Sequence, residues 1–290
     1  MTVIAHVPAS AGSAHAHEAE LVGWLEAQGS VLVGYSGGVD STYLATVAYE
    51  TLGPSHTLAV IGRSASYPDE QWAIARRVAE QVGFPLLEIS TGEMDDPRYA
   101  ANPDNRCYFC KSELWSKLVP LARERGLAVV ADGTNADDVR GHRPGMRAGG
   151  EWRVASPLAE AGLTKGEIRE NSERRGLPTW NQPASPCLSS RLPTGVLITI
   201  ARLRKVEAAE RALRRLGVTG NLRVRFHEET ARVEMDPEEL THWRAPGRRE
   251  LLREAALGAG FTRAELDLRG FRSGKANEAP RPTDLDALDA

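Results

Sequence analysis

VLVGYSGGVDS, residues 31–41, decides the fold. VLVGY is a near-continuous apolar run of strand length, as suits a strand covered on both faces of its sheet. SGGVDS follows at once, and a helical pattern opens at about Asp40 and runs to Leu52. Two adjacent glycines let the backbone turn tightly, while the free N–H groups and positive dipole end of the new helix suit a phosphate. The plainer alternative is a tight strand-to-helix turn capped by Asp40 or Ser41. GxxxxGK[ST] and GxGxxG are both missing here, so Walker-type and dinucleotide loops are set aside.

Outward from this loop the pattern alternates. Apolar runs at 57–62 (TLAVIG), 86–89 (LLEI) and 127–133 (LAVVADG) are separated by helical stretches from about Asp69 to Val82 and from about Ser112 to Arg125. Strand–helix alternation of this kind predicts an α/β domain with a parallel sheet covered on both faces. Open α/β sheets bind ligands at their carboxyl edge, so Asp132, Gly133, Thr134 and Asn135, with Asp137 and Asp138 after them, form a second candidate segment. A capped turn is its plainer reading. Thr164 and Glu167 have capping-box spacing, which leaves Lys165 a secondary candidate.

From about Gln182 the texture changes. A long helix (198–217) precedes two charged, alternating strands (221–228 and 230–235), then Asp236 and Pro237 in helix-start order. The expected organisation is a mobile tail over 1–19, an α/β domain over 20–181, a smaller α+β domain over 182–272 and a second tail over 273–290. Arg223 and Arg225 fall on one face of the first of those strands, where a solvent-facing fate competes with phosphate binding. Trp180 and Trp243 read as packing residues before they read as stacking platforms.

Composition narrows the class. The 290 residues carry 36 basic and 39 acidic side chains, a formal charge of −3, which weighs against nucleic acid as partner. The start lacks a basic, apolar leader, and no run of about 18 apolar residues occurs, so the expectation is a cytoplasmic protein without a membrane span. Three cysteines do not make a secreted disulfide scaffold. Cys107 and Cys110 stand in RCYFCK and Cys187 in PCLSSR. They allow a redox pair, a structural zinc completed by His142 or His227, or a cubane cluster with one iron left open, against a plainly apolar role for Cys187.

SGGVDS resembles the pyrophosphate loop of the N-type ATP pyrophosphatases. With DGTNADD (132–138), SPLAEAGLTKGEIRE (156–170), LPTWNQPASPCLSSR (177–191) and RLRKVEAAE (202–210), the chain looks like the LarE family of ATP-dependent sulfur transferases, over about residues 20–272. That family acts in nickel-pincer nucleotide synthesis for lactate racemase. The resemblance implies a PP-loop domain of the adenine nucleotide alpha hydrolase type with a smaller α+β domain. It implies ATP and Mg²⁺, with Ser36, Gly37, Gly38, Asp40 and Ser41 on pyrophosphate, Gly133, Thr134 and Asn135 on the nucleotide, Asp40 near Mg²⁺, and adenine near Ile61–Ser64. Cys187 becomes the sulfur-transfer residue, and Cys107, Cys110 and Cys187 become the holders of a 4Fe-4S cluster. Sacrifice of the sulfur of Cys187 is the alternative, and a tRNA thiolase or an amide-forming ATP pyrophosphatase are more distant ones. Arg191, Arg223 and Arg225 are implied phosphate ligands of a small nucleotide substrate, the carboxylate-bearing pyridinium mononucleotide, with Glu207, Glu210 and Glu234 as secondary residues. A homo-oligomer such as a hexamer is also implied.

Overall fold

The computed structural model describes residues 11–139, 144–272, 277, 278, 281 and 285–288. In chain order the elements begin α1 (Ala11–Gln28), β1 (Val31–Gly34), α2 (Val39–Leu52), β2 (Thr57–Arg63), α3 (Asp69–Val82), β3 (Leu86–Ser90) and α4 (Pro97–Ala100). They continue through α5 (Arg106–Glu124), β4 (Val129–Ala131), α6 (Ala136–Val139), α7 (Pro144–Glu151), α8 (Pro157–Glu160) and α9 (Lys165–Arg174). The last are α10 (Ile200–Arg215), β5 (Leu222–His227), β6 (Thr230–Met235), α11 (Pro237–Trp243), α12 (Pro246–Gly258), β7 (Arg263–Asp267) and β8 (Leu285–Ala287). They form two compact units. The first takes the chain up to Ser64, then Asp69–Gly92 and Cys107–Gln182; the second takes Ala65–Pro68, Glu93–Arg106 and the chain from Pro183 onward.

The first unit is the α/β domain that the alternation predicts. Its four strands pair in parallel in the order β3-β2-β1-β4. The chain builds outward from β1 to β3, then returns to the other side of β1, so the carboxyl ends of β1 and β4 flank the point where strand order reverses. Leu32, Val60 and Val130 pack with Trp115 and Leu118 of α5. Gly34 has to be small, because a Cβ there would lie 2.9 Å from the Trp115 ring. Helix α2 is buried along most of its length, from Val39 to Ala48, because α1 and α9 cover the side that the sheet leaves open.

That cover corrects the expectation of a tail over 1–19. Residues 11–19 are helical. Ala14 is fully buried and its carbonyl accepts from Asn171 Nδ2 (3.2 Å), while Ser13 and His17 bond to Glu167 at 2.9 and 3.2 Å. Small Ala and Ser side chains let α1 approach closely, and that contact leaves no apolar stripe to read. The other expected tail also holds structure, since β8 pairs antiparallel with β7. Helix α5 starts at Arg106 instead of near Ser112, which puts Cys107 and Cys110 within its first five residues.

The second unit carries a mixed sheet, β5-β6-β7-β8, in which only β6 and β7 run parallel. Helix α10 packs on β5 and α12 on β7. Both expected strands are present, but the charged side chains on β5 are not on a solvent face. Arg223 and Arg225 are each 5% exposed. Among the described residues, no helix is long and apolar enough to cross a membrane.

Candidate functional site

The SGGVDS loop leaves β1 and enters α2 without a side-chain cap. Gly38 is the N-cap residue and makes no side-chain cap, so neither Asp40 nor Ser41 stands at the cap position. Ser41 instead ties the loop to itself, its Oγ accepting from the Ser36 N–H (3.1 Å) and lying 3.0 Å from Ser36 Oγ. Gly37 has φ +65°, and a Cβ there would stand 2.4 Å from Ala75 Cβ. Gly133, arriving from β4, would place a Cβ 3.0 Å from the Ser41 backbone nitrogen. Only glycine permits that approach. A cavity of about 550 Å³ opens where the two strand ends meet, bordered by Ser36, Gly38, Asp40, Ser41, Gly133 and Thr134.

Asn135 lies elsewhere. It is 2% exposed, and its Oδ1 accepts from the N–H groups of Asp137 and Asp138 at 3.0 and 3.1 Å, so the capped-turn reading holds for this residue. Asp132 likewise accepts from the Thr134 N–H and the Ser156 hydroxyl, both at 3.0 Å. Ile61–Arg63 end β2 beside β1, where Arg63 stacks on Trp72 and pairs with Asp69.

Three further side chains join this site: Lys165, a secondary candidate of the sequence, and Lys111 and Gln71, which the motifs leave out. Lys165 begins α9 behind the Thr164–Glu167 capping box, and its Nζ reaches both carboxylate oxygens of Asp40, at 2.8 and 2.7 Å. It serves both the helix start and the loop. Lys111 borders the cavity with Cys107, one helical turn before it, and has Asp132 at 3.9 Å. Gln71 of α3 donates to the Gly37 carbonyl at 2.9 Å. The capping-box spacing is the signal in the sequence for Lys165 and the Cys107–Lys111 spacing that for Lys111, the latter visible only with the correct start of α5.

In the second unit, half-buried Cys187 precedes a single turn of 3₁₀ helix, Leu188–Arg191. Segments from earlier in the chain hold that turn. The Leu188 N–H donates to the Ser66 carbonyl (2.8 Å), Ser189 Oγ meets the Tyr99 hydroxyl (2.7 Å), and Arg106 donates to the Ser189 carbonyl (3.0 Å). Arg191 is 2% exposed. It forks onto Glu210 at 2.9 and 3.0 Å and donates to the carbonyls of Pro186 and Cys187. Its guanidinium is therefore engaged in shaping the Cys187 turn. Arg225 pairs with Glu234 (Nε to Oε2, 3.0 Å) and donates to the Ser190 carbonyl (2.8 Å).

Arg223 differs from both. It donates to the carbonyls of Leu222 and Ala184 and lies over the Phe271 ring, with no carboxylate in salt-bridge range among the described residues. Burial first, then the charges of Arg191 and Arg225 against the opposing pull of Glu210, push its pKa down to about 10. A buried cation held by neutral carbonyls favours an incoming anion. Hydrogen bonds thus join the Cys187 turn with Arg191, Glu210, Arg225 and Glu234, Arg223 feels the charges of Arg191, Glu210 and Arg225, and Glu207 lies half-buried on α10.

Trp243 is a core residue, 1% exposed with its indole N–H on Glu239, and Trp180 is partly exposed. His227 is held by Arg232 at 3.0 Å, and burial, then the charges of Arg232 and Arg225, push its pKa down to about 4. His142 lies outside the described residues. Among the described residues, no group of three or more His, Cys, Asp or Glu side chains is arranged to hold a metal ion.

The NAD synthase family model matches residues 20–109. A pyridinium-3,5-bisthiocarboxylic acid mononucleotide synthase of Lactiplantibacillus plantarum is 34% identical over 90% of this chain and 94% of its own length. This chain belongs to the family of that synthase. An uncharacterised protein of Synechocystis sp. is 45% identical over 85% of this chain and 91% of its own, and one of Methanocaldococcus jannaschii is 29% identical over 71% and 77%. The bisthiocarboxylic acid mononucleotide synthase family is enzymatic and built on the ATP-using pyrophosphatase loop. The NAD synthase match contains SGGVDS but ends before Lys111, Gly133 and the Cys187 turn. The similarity to the synthase family therefore extends to features that the loop alone does not define.

Proposed function

We propose that this chain uses ATP to adenylate the carboxylates of pyridinium-3,5-biscarboxylic acid mononucleotide and converts them to thiocarboxylates for a nickel-pincer cofactor. The observation that supports this reading is buried Arg223, a cation with no carboxylate in salt-bridge range among the described residues, in the same unit as Cys187. A substrate phosphate supplies the missing charge and brings the carboxylates to the sulfur-bearing segment.

The chemistry follows from the weakness of a carboxylate as an acyl donor. Its oxygen attacks the α-phosphorus of ATP, the bond to the bridging oxygen breaks, and pyrophosphate leaves into the N–H groups of the SGGVDS loop. Mg²⁺ near Asp40 neutralises the triphosphate when bound. A sulfur nucleophile then adds to the acyl carbon and AMP departs. Cys107, Cys110 and Cys187 are the thiolates that would hold a 4Fe-4S cluster, which supplies an open iron for hydrosulfide when bound. No three such donors are grouped to hold a metal ion among the described residues.

Anaerobic turnover with ATP and the dicarboxylate tests the reading. Pyrophosphate release matched by thiocarboxylate is expected, and pyrophosphate release with thiolation of RNA instead would overturn the acceptor. Iron and sulfide analysis, with the mass of Cys187 before and after turnover, separates cluster-borne sulfur from sacrifice of the residue's own sulfur. Gly37→Ala tests the nucleotide half. A left-handed φ costs an L side chain ~1–2 kcal/mol, and the Ala75 contact adds to it, so Mg-ATP binding is expected to weaken by at least about tenfold in calorimetric titration.

A further inference from the structure

The two ends of a trans peptide point in opposite directions, so an anchor on a carbonyl oxygen also aims the N–H of the next residue. Gln71, 4% exposed on α3, supplies such an anchor beneath the loop. Its Nε2 lies 2.9 Å from the Gly37 oxygen and 3.5 Å from that of Ser36. Held from that side, the Gly37–Gly38 peptide turns the Gly38 N–H away from α3, and Gly38 borders the cavity. Among the described residues that N–H donates to no backbone carbonyl.

The orientation of the Gln71 amide is determined by its second partner. Gln182 Nε2 donates to Gln71 Oε1 at 2.8 Å. Flipping Gln71 would set its oxygen against the Gly37 oxygen and its NH₂ against that of Gln182. Donors therefore run in one direction, from Gln182 through Gln71 to Gly37. Among the described residues Gln182 Oε1 is buried without a hydrogen-bond partner, a cost that accompanies this direction. Close packing allows little slack, because a Cβ on Gly37 would lie 3.1 Å from Gln71 Nε2. Gln182 also stands five residues before Cys187 in the sequence.

We propose that Gln71, oriented by Gln182, is a positioning residue for ATP. It aims the Gly38 N–H at the pyrophosphate without touching the nucleotide itself. The inference rests on the nucleotide reading of the loop and deepens it. It also joins two segments of α/β chain that the loop motif does not connect: the start of α3 and the stretch leading to Cys187.

The test measures the Mg-ATP dissociation constant of the full chain and of Gln71→Met, Gln71→Glu and Gln182→Met between about pH 8 and about pH 6. The partners of the Gln71 amide are two carbonyls and one amide, none of them titratable in this range. Gln71→Met is expected to weaken binding about tenfold, by a constant ratio to wild type at every pH. Gln71→Glu is expected to be weaker still at the upper end and to recover as pH falls, because a buried carboxyl protonates at raised pH and then donates to the Gly37 oxygen. Gln182→Met, at the outer end of the relay, is expected to cost about threefold and keeps the test decisive if the Gln71 variants fold poorly. Wild-type binding with all three variants within about twofold of it, or a Gln71→Glu ratio as flat as that of Gln71→Met, overturns the inference alone. Failure of the wild-type chain to bind Mg-ATP overturns the nucleotide reading, and this inference with it.

Discussion

Replacing Cys187 with alanine is expected to abolish thiocarboxylate formation while leaving carboxylate-driven exchange of pyrophosphate into ATP within about twofold of wild type. The expectation follows from how the turn is held. Its anchors are backbone and neighbouring side-chain groups: the Leu188 N–H on Ser66, Ser189 on Tyr99, and Arg191 on the Pro186 and Cys187 carbonyls. None of these uses the thiol, so its removal leaves the turn and the buried arginines in place. The SGGVDS loop has its own supports in Ser41, Gln71 and Gly133. Isotope exchange and product mass measured on one preparation make the comparison. Loss of exchange together with sulfur transfer would show that the thiol takes part in adenylation, and the division of labour proposed above would fall.

Arg191→Ala is expected to be the most destabilising single change in the second unit, by about 3–5 kcal/mol. It removes the fork from Glu210 and leaves that carboxylate between α10 and β5 with the Val224 N–H at 2.9 Å as a neutral donor. The carbonyls of Pro186 and Cys187 lose their donor in the same step. Arg191→Lys would not rescue the loss, since an ammonium cannot reproduce a planar fork that also serves two carbonyls. Joint replacement of Arg191 and Glu210 with apolar residues should recover part of the stability, because no charge is then left buried alone. Urea unfolding with a double-mutant cycle measures both quantities. A cost below about 1 kcal/mol for Arg191→Ala would mean that the pair behaves as a solvated surface bridge.

The α/β half was legible because its signals are periodic or local. Strand-length apolar runs such as VLVGY and the glycine pair at 37–38 act over a few residues, and the structure realises them at β1 and the loop. The fate of β5 was harder to read, since alternation of Arg and apolar residues describes a surface strand and a strand with a buried cationic face equally well. Burial of Arg223 and Arg225 depends on Glu234 and on carbonyls from residues far away in the chain. Helix α1 was missed for a related reason. Its hold on Glu167, Asn171 and Arg175 consists of specific polar contacts between distant positions, which leave no stripe in the sequence. Gln71 follows the same rule: a side chain that orients another group's backbone carries no pattern of its own.

The second unit has a consequence for the order in which the molecule can be built. The chain passes between the two units five times, and residues 65–68 and 93–106 belong with the sheet that begins only at Leu222. As the polypeptide emerges from the ribosome, Asn102 and Tyr99 wait for partners at Leu192, Pro193 and Ser189 that are synthesised about ninety residues later. The parallel strands β1 to β4 can pair during that interval, whereas the sulfur-bearing turn has nothing to rest on until both distant segments are recruited. Closure of the turn therefore follows pairing of the parallel strands, and a chain severed at the apparent boundary near Gln182 would separate Cys187 from the residues that hold its turn.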